Sequence, residues 1–190
     1  MQLHYYLLHD RVNCNSRLFI YGMRDNDECP YCGCTETSLH LFVECVHLQP
    51  MWEKLGYLLG YLCGMRETPL IPYSLLIFGA QYANEVVNAD WVDVSVRRRE
   101  AVNMVLSCLR RVIWQAVVEG IITPCEVMWT SFLAVLKRHL RREFLRTRRL
   151  MVSVPRAVDI FRARFCTESG FVQADPDFSV LTIVVHETFA

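Results

Sequence analysis

The residues whose types and spacing most clearly suit metal chemistry are Cys29, Cys32, His40 and Cys45, which form the pattern C-x2-C-x7-H-x4-C. Two thiolates two residues apart can sit on one tight turn. A later His and Cys can close the site from a short helix that folds back over that turn. Three sulfur ligands and one nitrogen ligand make a tetrahedral set that Zn²⁺ prefers. Because four protein ligands leave no position for water, the pattern predicts a structural zinc.

The turn and the second ligand pair set further conditions on this site. Pro30 and Gly33 provide a fixed φ and a residue that tolerates positive φ, as a metal-binding turn requires. His40 and Cys45 are five residues apart, whereas one helix face has a spacing of three or four. Both therefore reach one metal only if the helix ends or loosens between them. The N-terminus of that helix holds the candidate caps Thr35 and Thr37, with Glu36 near its start.

The ligand set has alternatives within the same stretch. Cys34 could replace Cys32, although C-x4-C is a less common arrangement than C-x2-C. His47 could replace His40 or Cys45. Buried structural cysteines beside a core histidine are the alternative to any metal site.

The residues around the cluster resemble a known family. Arg-Leu, an aromatic and a Gly precede Cys-Pro-x-Cys-Gly, which is followed by Glu-Thr-x-x-His-Leu-Phe, a Cys and a Trp. This arrangement resembles the zinc-binding region at the C-terminal end of reverse transcriptases from non-LTR (LINE-type) retrotransposons. The resemblance covers roughly residues 10–60. The matching positions are Arg17, Leu18, Phe19, Gly22, Cys29, Pro30, Cys32, Gly33, Glu36, Thr37, His40, Leu41, Phe42, Cys45 and Trp52.

The resemblance implies a parent enzyme that copies its own RNA into cDNA at a nicked target. The present chain departs from that enzyme, since it has no Tyr/Phe-Ala-Asp-Asp segment to hold two catalytic metals and no room for an endonuclease domain. We therefore expect a non-catalytic C-terminal piece that begins at an internal or adventitious Met1. Its expected partners are RNA or DNA and the rest of a reverse transcriptase polypeptide.

The formal net charge is zero, but the charges are strongly segregated. Residues 97–164 contain 15 Lys or Arg and 5 Asp or Glu, whereas residues 1–96 contain 5 and 11. A helix in the basic segment is apolar on one side and arginine-rich on the other, which suits a phosphate backbone. The candidate nucleic-acid-binding residues on this helix are Lys137, Arg138, Arg141, Arg142, Arg148 and Arg149.

The basic helix also has simpler interpretations. A charged helix face is often only solvated, and the acidic flanks could neutralise it. Tyr31, Phe42 and Trp52 could stack on bases if exposed, but aromatics at helical spacing more often belong to the core. The alternative functions are a protein-interaction module with an acidic partner and a decayed retroelement fragment without nucleic-acid binding.

Apolar periodicity predicts a mainly α fold, in which a small CCHC zinc knuckle is followed by a helical bundle and a short strand in the C-terminal tail. Residues 1–64 form the knuckle module with flanking helices, 73–166 the basic helical region and 167–190 the tail. Helices are expected over about 2–22, 39–62, 73–83 and 91–119, then from Pro124 to about 150 and after Pro155. Within 39–62, Pro50 is expected in the first turn of a second helix. The predicted core positions of the two long helices are Val102, Val105, Leu109, Val112, Ala116, Leu133, Leu136, Leu140 and Phe144.

Cysteine usage and hydropathy indicate the compartment. Nine cysteines are an odd number, and no secretory signal precedes them, so we expect a reducing intracellular setting, nuclear or cytoplasmic. No run reaches the roughly 18 apolar residues of a membrane span, and we expect no membrane partner. The histidines outside the cluster have no visible nucleophile partner, which argues against catalysis.

Overall fold

The computed structural model describes residues 2–65, 69, 71, 73–80, 95–119, 123–154, 156–166 and 171–183. The fold is mainly helical with a short two-stranded sheet near the C-terminus, as predicted. The α-helices are α1 (Gln2–Leu8), α2 (Asn15–Ile20), α3 (Gln49–Cys63), α4 (Tyr73–Phe78), α5 (Val96–Glu119), α6 (Cys125–Leu150) and α7 (Ala157–Phe165). A π-helical turn (His40–Glu44) and a 3₁₀ turn (Val46–Leu48) precede α3, and the strands are β1 (Val172–Ala174) and β2 (Leu181–Ile183).

The core lies between α3, α5, α6 and α7. The predicted inward positions of α5 are all buried, and on α6 the prediction holds for Leu136, Leu140 and Phe144, while Leu133 is half-buried. Pro50 occupies the first turn of α3, as predicted, and Gly64 ends that helix with a left-handed φ of 71°. Periodicity thus identified the apolar faces that pack together.

The described part of the tail packs on the helices through aromatic rings. Phe178 is fully buried and stacks on Phe144 with ring centroids 4.4 Å apart, and it contacts Phe161 edge-on at 5.3 Å. β1 and β2 pair antiparallel, with Val172 opposite Ile183. The sequence predicted one short strand in the tail, whereas the described part of the tail contains two, β1 and β2.

The predicted helix over residues 2–22 is broken in its middle. α1 ends at Leu8, and Asp10 adopts a left-handed φ of 46°. The following residues Val12 and Cys14 are both buried. In a continuous helix, residues two positions apart point to nearly opposite sides, so both could be buried only if the helix were buried all round. Arg17 in α2 then forms an ion pair with Asp10 at 3.1 Å, which links the two short helices.

A second difference concerns Arg110 of α5, which is not among the predicted core positions of that helix. It is only 8% exposed, and its guanidinium donates hydrogen bonds to the backbone oxygens of Leu76, at 2.7 Å, and Ile77. The same group lies 2.9 Å from His4 Nδ1. Arg110 is buried because it satisfies carbonyl groups in α4 and contacts α1, so it joins three helices.

One helical segment among the described residues, Arg98–Glu119, is long and apolar enough to cross a membrane by length and composition alone. Of its most apolar stretch, 56% is buried inside the fold. This degree of burial is what a core helix shows, so the segment is weak support for a membrane span. The predicted beginning of this helix at residues 91–94 lies outside the described residues.

Candidate metal centre and basic surface

The first two ligands lie on a turn that is closed by backbone hydrogen bonds. Gly33 N donates to Cys29 O at 2.9 Å, and Cys29 N donates to Cys34 O at 2.7 Å. Glu28 and Thr35 form an antiparallel bridge just outside the turn. Gly33 adopts a φ of 75°, which confirms the need for glycine at this position.

The second two ligands lie at either end of the π-helical turn. Cys45 N donates to His40 O at 3.0 Å, a hydrogen bond that spans five residues. This wider turn is the loosening that the five-residue spacing required, and it brings both side chains to the same side. Thr37 Oγ1 accepts a hydrogen bond from His40 N at 3.1 Å, so Thr37 is the N-terminal cap, whereas Thr35 lies in the bridge.

These turns bring the four predicted ligand atoms within 4.8 Å of one another. The Sγ atoms of Cys29 and Cys45 are 3.8 Å apart, those of Cys32 and Cys45 are 4.0 Å apart, and Cys32 Sγ is 3.2 Å from His40 Nε2. A tetrahedral site with Zn–S bonds of about 2.3 Å places its sulfurs about 3.8 Å apart. A disulfide needs about 2.05 Å, and these cysteines are free. The cluster can therefore hold a metal ion, and its geometry is consistent with zinc.

Burial shapes the chemistry of the thiols in this cluster. Burial raises the pKa of Cys29 to about 12 and also raises the pKa of Cys45. Without a cation these thiols are neutral at pH 7. A bound cation reverses this preference, because coordination stabilises the thiolate.

The alternative ligands lie outside the cluster. Cys34 is exposed. His47 Nε2 hydrogen-bonds to Thr123 O at 2.8 Å, and its ring stacks on Tyr31 with centroids 4.4 Å apart. His47 therefore fastens the metal-binding turn to the segment that precedes α6.

Glu36, which the sequence placed near the start of the helix that carries His40, contacts the start of α2 instead. It is buried, and its Oε1 accepts a hydrogen bond from Asn15 N at 2.9 Å, while its backbone oxygen accepts one from Ser16 N at 3.2 Å. Burial raises the pKa of this carboxyl group, and the Asn15 N–H acts in the opposite direction. Glu36 thus caps α2, which a sequence separation of 21 residues did not reveal.

All six predicted nucleic-acid-binding side chains of α6 are exposed. None of the six has an ion-pair partner within the part of the chain that the structure describes; the neighbouring Arg146 contacts Glu143 at 3.8 Å. On α7 the basic residues are used internally. Arg162 donates to the backbone oxygen of Asp175 at 2.8 Å, and Arg164 pairs with Glu100.

The aromatic candidates for base stacking differ in accessibility. Phe42 is fully buried, so it belongs to the core and not to a binding surface. Trp52 is half-buried, and its indole Nε1 lacks a hydrogen-bond partner within the described residues. Tyr31 is half-buried beside the metal-binding turn.

Comparisons of the chain with protein-family models, with curated protein sequences and with solved structures find no match.

Proposed function

We propose that this chain is a non-catalytic, zinc-stabilised helical module that binds RNA or DNA through α6, as part of a non-LTR-type reverse transcriptase. The observation that carries the proposal is the basic surface of α6, where six exposed cationic side chains have no ion-pair partner among the described residues. Zn²⁺ would be held by Cys29, Cys32, His40 and Cys45 and would fix the loop-rich segment between α2 and α3.

Zinc suits this cluster because of the ligand types. Three thiolates and one imidazole favour Zn²⁺ over hard cations such as Mg²⁺ or Ca²⁺, which prefer oxygen ligands. Four protein ligands complete the coordination, so the metal would have a structural role. The metal would fasten the turn at Cys29 to the π-helical turn at His40.

The spacing of the basic residues suits an extended phosphate chain. Lys137, Arg141 and Arg148 follow one line along α6, and Arg138, Arg142 and Arg149 repeat the same spacing one residue later. At a rise of about 1.5 Å per residue, the two rows cover roughly 18 Å of helix. Arginine can bind a phosphate with two parallel hydrogen bonds, and release of counterions adds salt-dependent affinity.

The assignment to a reverse transcriptase rests on the resemblance around the cluster. Several residues of that pattern have structural roles here: Gly33 permits the turn, Glu36 caps α2, and Thr37 caps the π-helical turn. These roles explain why a module of this kind needs those residue types. An RNA- or DNA-binding role would place the protein inside the cell, in the nucleus or the cytoplasm.

A salt series with single-stranded RNA tests the proposal. The zinc-loaded chain should bind with an affinity that falls steeply as salt rises. Replacement of Arg141, Arg142, Arg148 and Arg149 by alanine should weaken binding, and each lost phosphate contact should reduce the logarithmic salt slope by about 1. Unchanged affinity and slope in the quadruple variant would contradict the proposed binding surface.

A charge-matched pair of double variants separates local contact from net charge. Arg141→Ala with Arg142→Ala lowers the net charge by the same amount as Asn26→Asp with Gln49→Glu, two exposed positions in the acidic half of the chain. The first pair should reduce the salt slope and the second should leave it nearly unchanged. Equal effects would indicate general electrostatic attraction.

A protein-interaction module is the second candidate, and an exposed apolar group supports it. Phe19, Ile20, Tyr21 and Met23, at and after the end of α2, are between 48% and 78% exposed. Such a group is typical of a surface that contacts another protein segment. This candidate predicts no RNA binding even at low salt.

A further inference from the structure

A cleft of about 310 Å³ opens between the metal-binding turn and the C-terminal half of α5. Neither the four cluster residues nor the basic surface of α6 line it. Trp114, Val117 and Val118 form its helical wall, since residues three and four apart share a helix face. Tyr31 and Arg24 lie on the opposite wall.

The walls of the cleft offer flat apolar surface. Trp114 is half-buried, and it makes no hydrogen bond or ring contact with any other residue that the structure describes. The ring of Tyr31 stacks on the ring of His47, and this contact fixes the orientation of the Tyr31 ring. An aromatic side chain of this size can stack on the face of a planar ligand.

The rim of the cleft offers hydrogen-bonding groups. Asn13 is exposed, and its side-chain amide has no partner among the described residues. An amide provides both donors and an acceptor, which is the combination that reads the edge of a base. Arg24 is exposed at the same cleft and supplies a cation for a phosphate or a base oxygen.

We infer that this cleft takes one unpaired nucleobase of a single-stranded nucleic acid, with the base stacked on Trp114 and its edge toward Asn13. The inference rests on the proposed nucleic-acid binding and adds a preference for single strands. A base inside a duplex is stacked and paired, so it cannot enter a cleft, whereas an unpaired base presents its face and its edge freely. Contacts between α6 and the phosphates of the nucleic acid would supply affinity. The cleft would discriminate unpaired bases from paired ones.

The test compares two 12-nucleotide RNAs with the same number of phosphates, one of uridines and one in which every residue is abasic. The zinc-loaded chain should bind the uridine RNA about tenfold more tightly, since stacking of one base on an aromatic side chain has this order of effect. Trp114→Ala should remove this preference, and Trp114→Phe should restore most of it. Tyr57→Ala, which removes an exposed aromatic outside the cleft, is the matched control and should change nothing.

Val118→Phe provides a second variant that does not disturb the core. Val118 is 65% exposed at the cleft, so a larger side chain there should obstruct the base while the helix stays folded. Equal affinity for both RNAs in the parent chain, or a preference that survives Val118→Phe and Trp114→Ala, would overturn the base-binding inference. In that case a steep salt slope would still support the proposed function, whereas failure to bind either RNA would overturn both.

Discussion

At the cluster residues, burial and metal binding act in opposite directions on the same thiols. Burial raises the pKa of Cys29 to about 12, so the metal-free fold favours a neutral thiol there. Coordination to Zn²⁺ requires the thiolate, and binding therefore releases protons. We therefore expect local folding of the cluster to depend on a bound metal.

Replacement of Cys45 by serine should lower zinc content from about one ion per chain to none, because the turns fold around the metal only when all four ligands hold it. Cys34→Ser is the matched control, since Cys34 is exposed and outside the cluster, and it should keep the zinc. The measurement is zinc stoichiometry after gel filtration, with circular dichroism to follow folding. An unchanged value in Cys45→Ser would move the site toward Cys34 or His47.

Among the elements, α1, α4 and α5 meet at one buried arginine. Arg110 donates to backbone oxygens of α4 and lies beside His4 of α1. Burial lowers the pKa of His4, and the positive charge of Arg110 lowers it further. The contact between α1 and α5 therefore favours the neutral form of His4.

This contact predicts a pH dependence of stability. The unfolded chain, in which the pKa of His4 is about 6.5, binds more protons than the folded chain around and below that pH. The contribution of neutral His4 to the free energy of unfolding is fully present above the unfolded pKa and is lost as pH falls. His4→Gln should flatten the decline in the free energy of unfolding between about pH 7 and 5. Urea denaturation at several pH values and constant zinc concentration measures this free energy, with His9→Gln as the control. Parallel curves of the free energy of unfolding against pH for His4→Gln and the parent chain would contradict the prediction.

For the whole molecule, the tail contributes Phe171, Val172 and Phe178 to the core, and Phe178 is a strained residue. Phe178 has a φ of 59°, a left-handed conformation that costs a non-glycine residue roughly 1–2 kcal/mol. It persists because the ring is fully buried between Phe144 and Phe161. The tail and the helices α6 and α7 are thereby coupled.

Phe178→Ala should lower the free energy of unfolding by about 3–5 kcal/mol, because the backbone strain remains while the buried ring is lost. Val180→Ala, at an exposed position two residues later, should change it by less than about 0.5 kcal/mol. Urea denaturation of the zinc-loaded chain measures both values. A small loss in Phe178→Ala would mean that the tail folds independently of α6 and α7.

Sequence reasoning succeeded where one local pattern carries the information. The ligand spacing predicted the cluster, and it required the loosened turn between His40 and Cys45 that the structure contains. The apolar steps of α5 and α6 predicted their buried faces, because a helix repeats its contacts every three or four residues. The exposure of the basic residues on α6 followed from the same periodicity.

Contacts between distant segments were decided only by the tertiary structure. The sequence by itself determined a mainly helical chain with four metal-ligand types in one short stretch and a basic helix. The fold alone decided that Glu36 caps α2, that Arg110 is buried and that Trp114 faces the metal-binding turn across a cleft. The physical reason is that spacing records neighbours along one element, whereas these roles depend on which group a side chain meets after the elements pack.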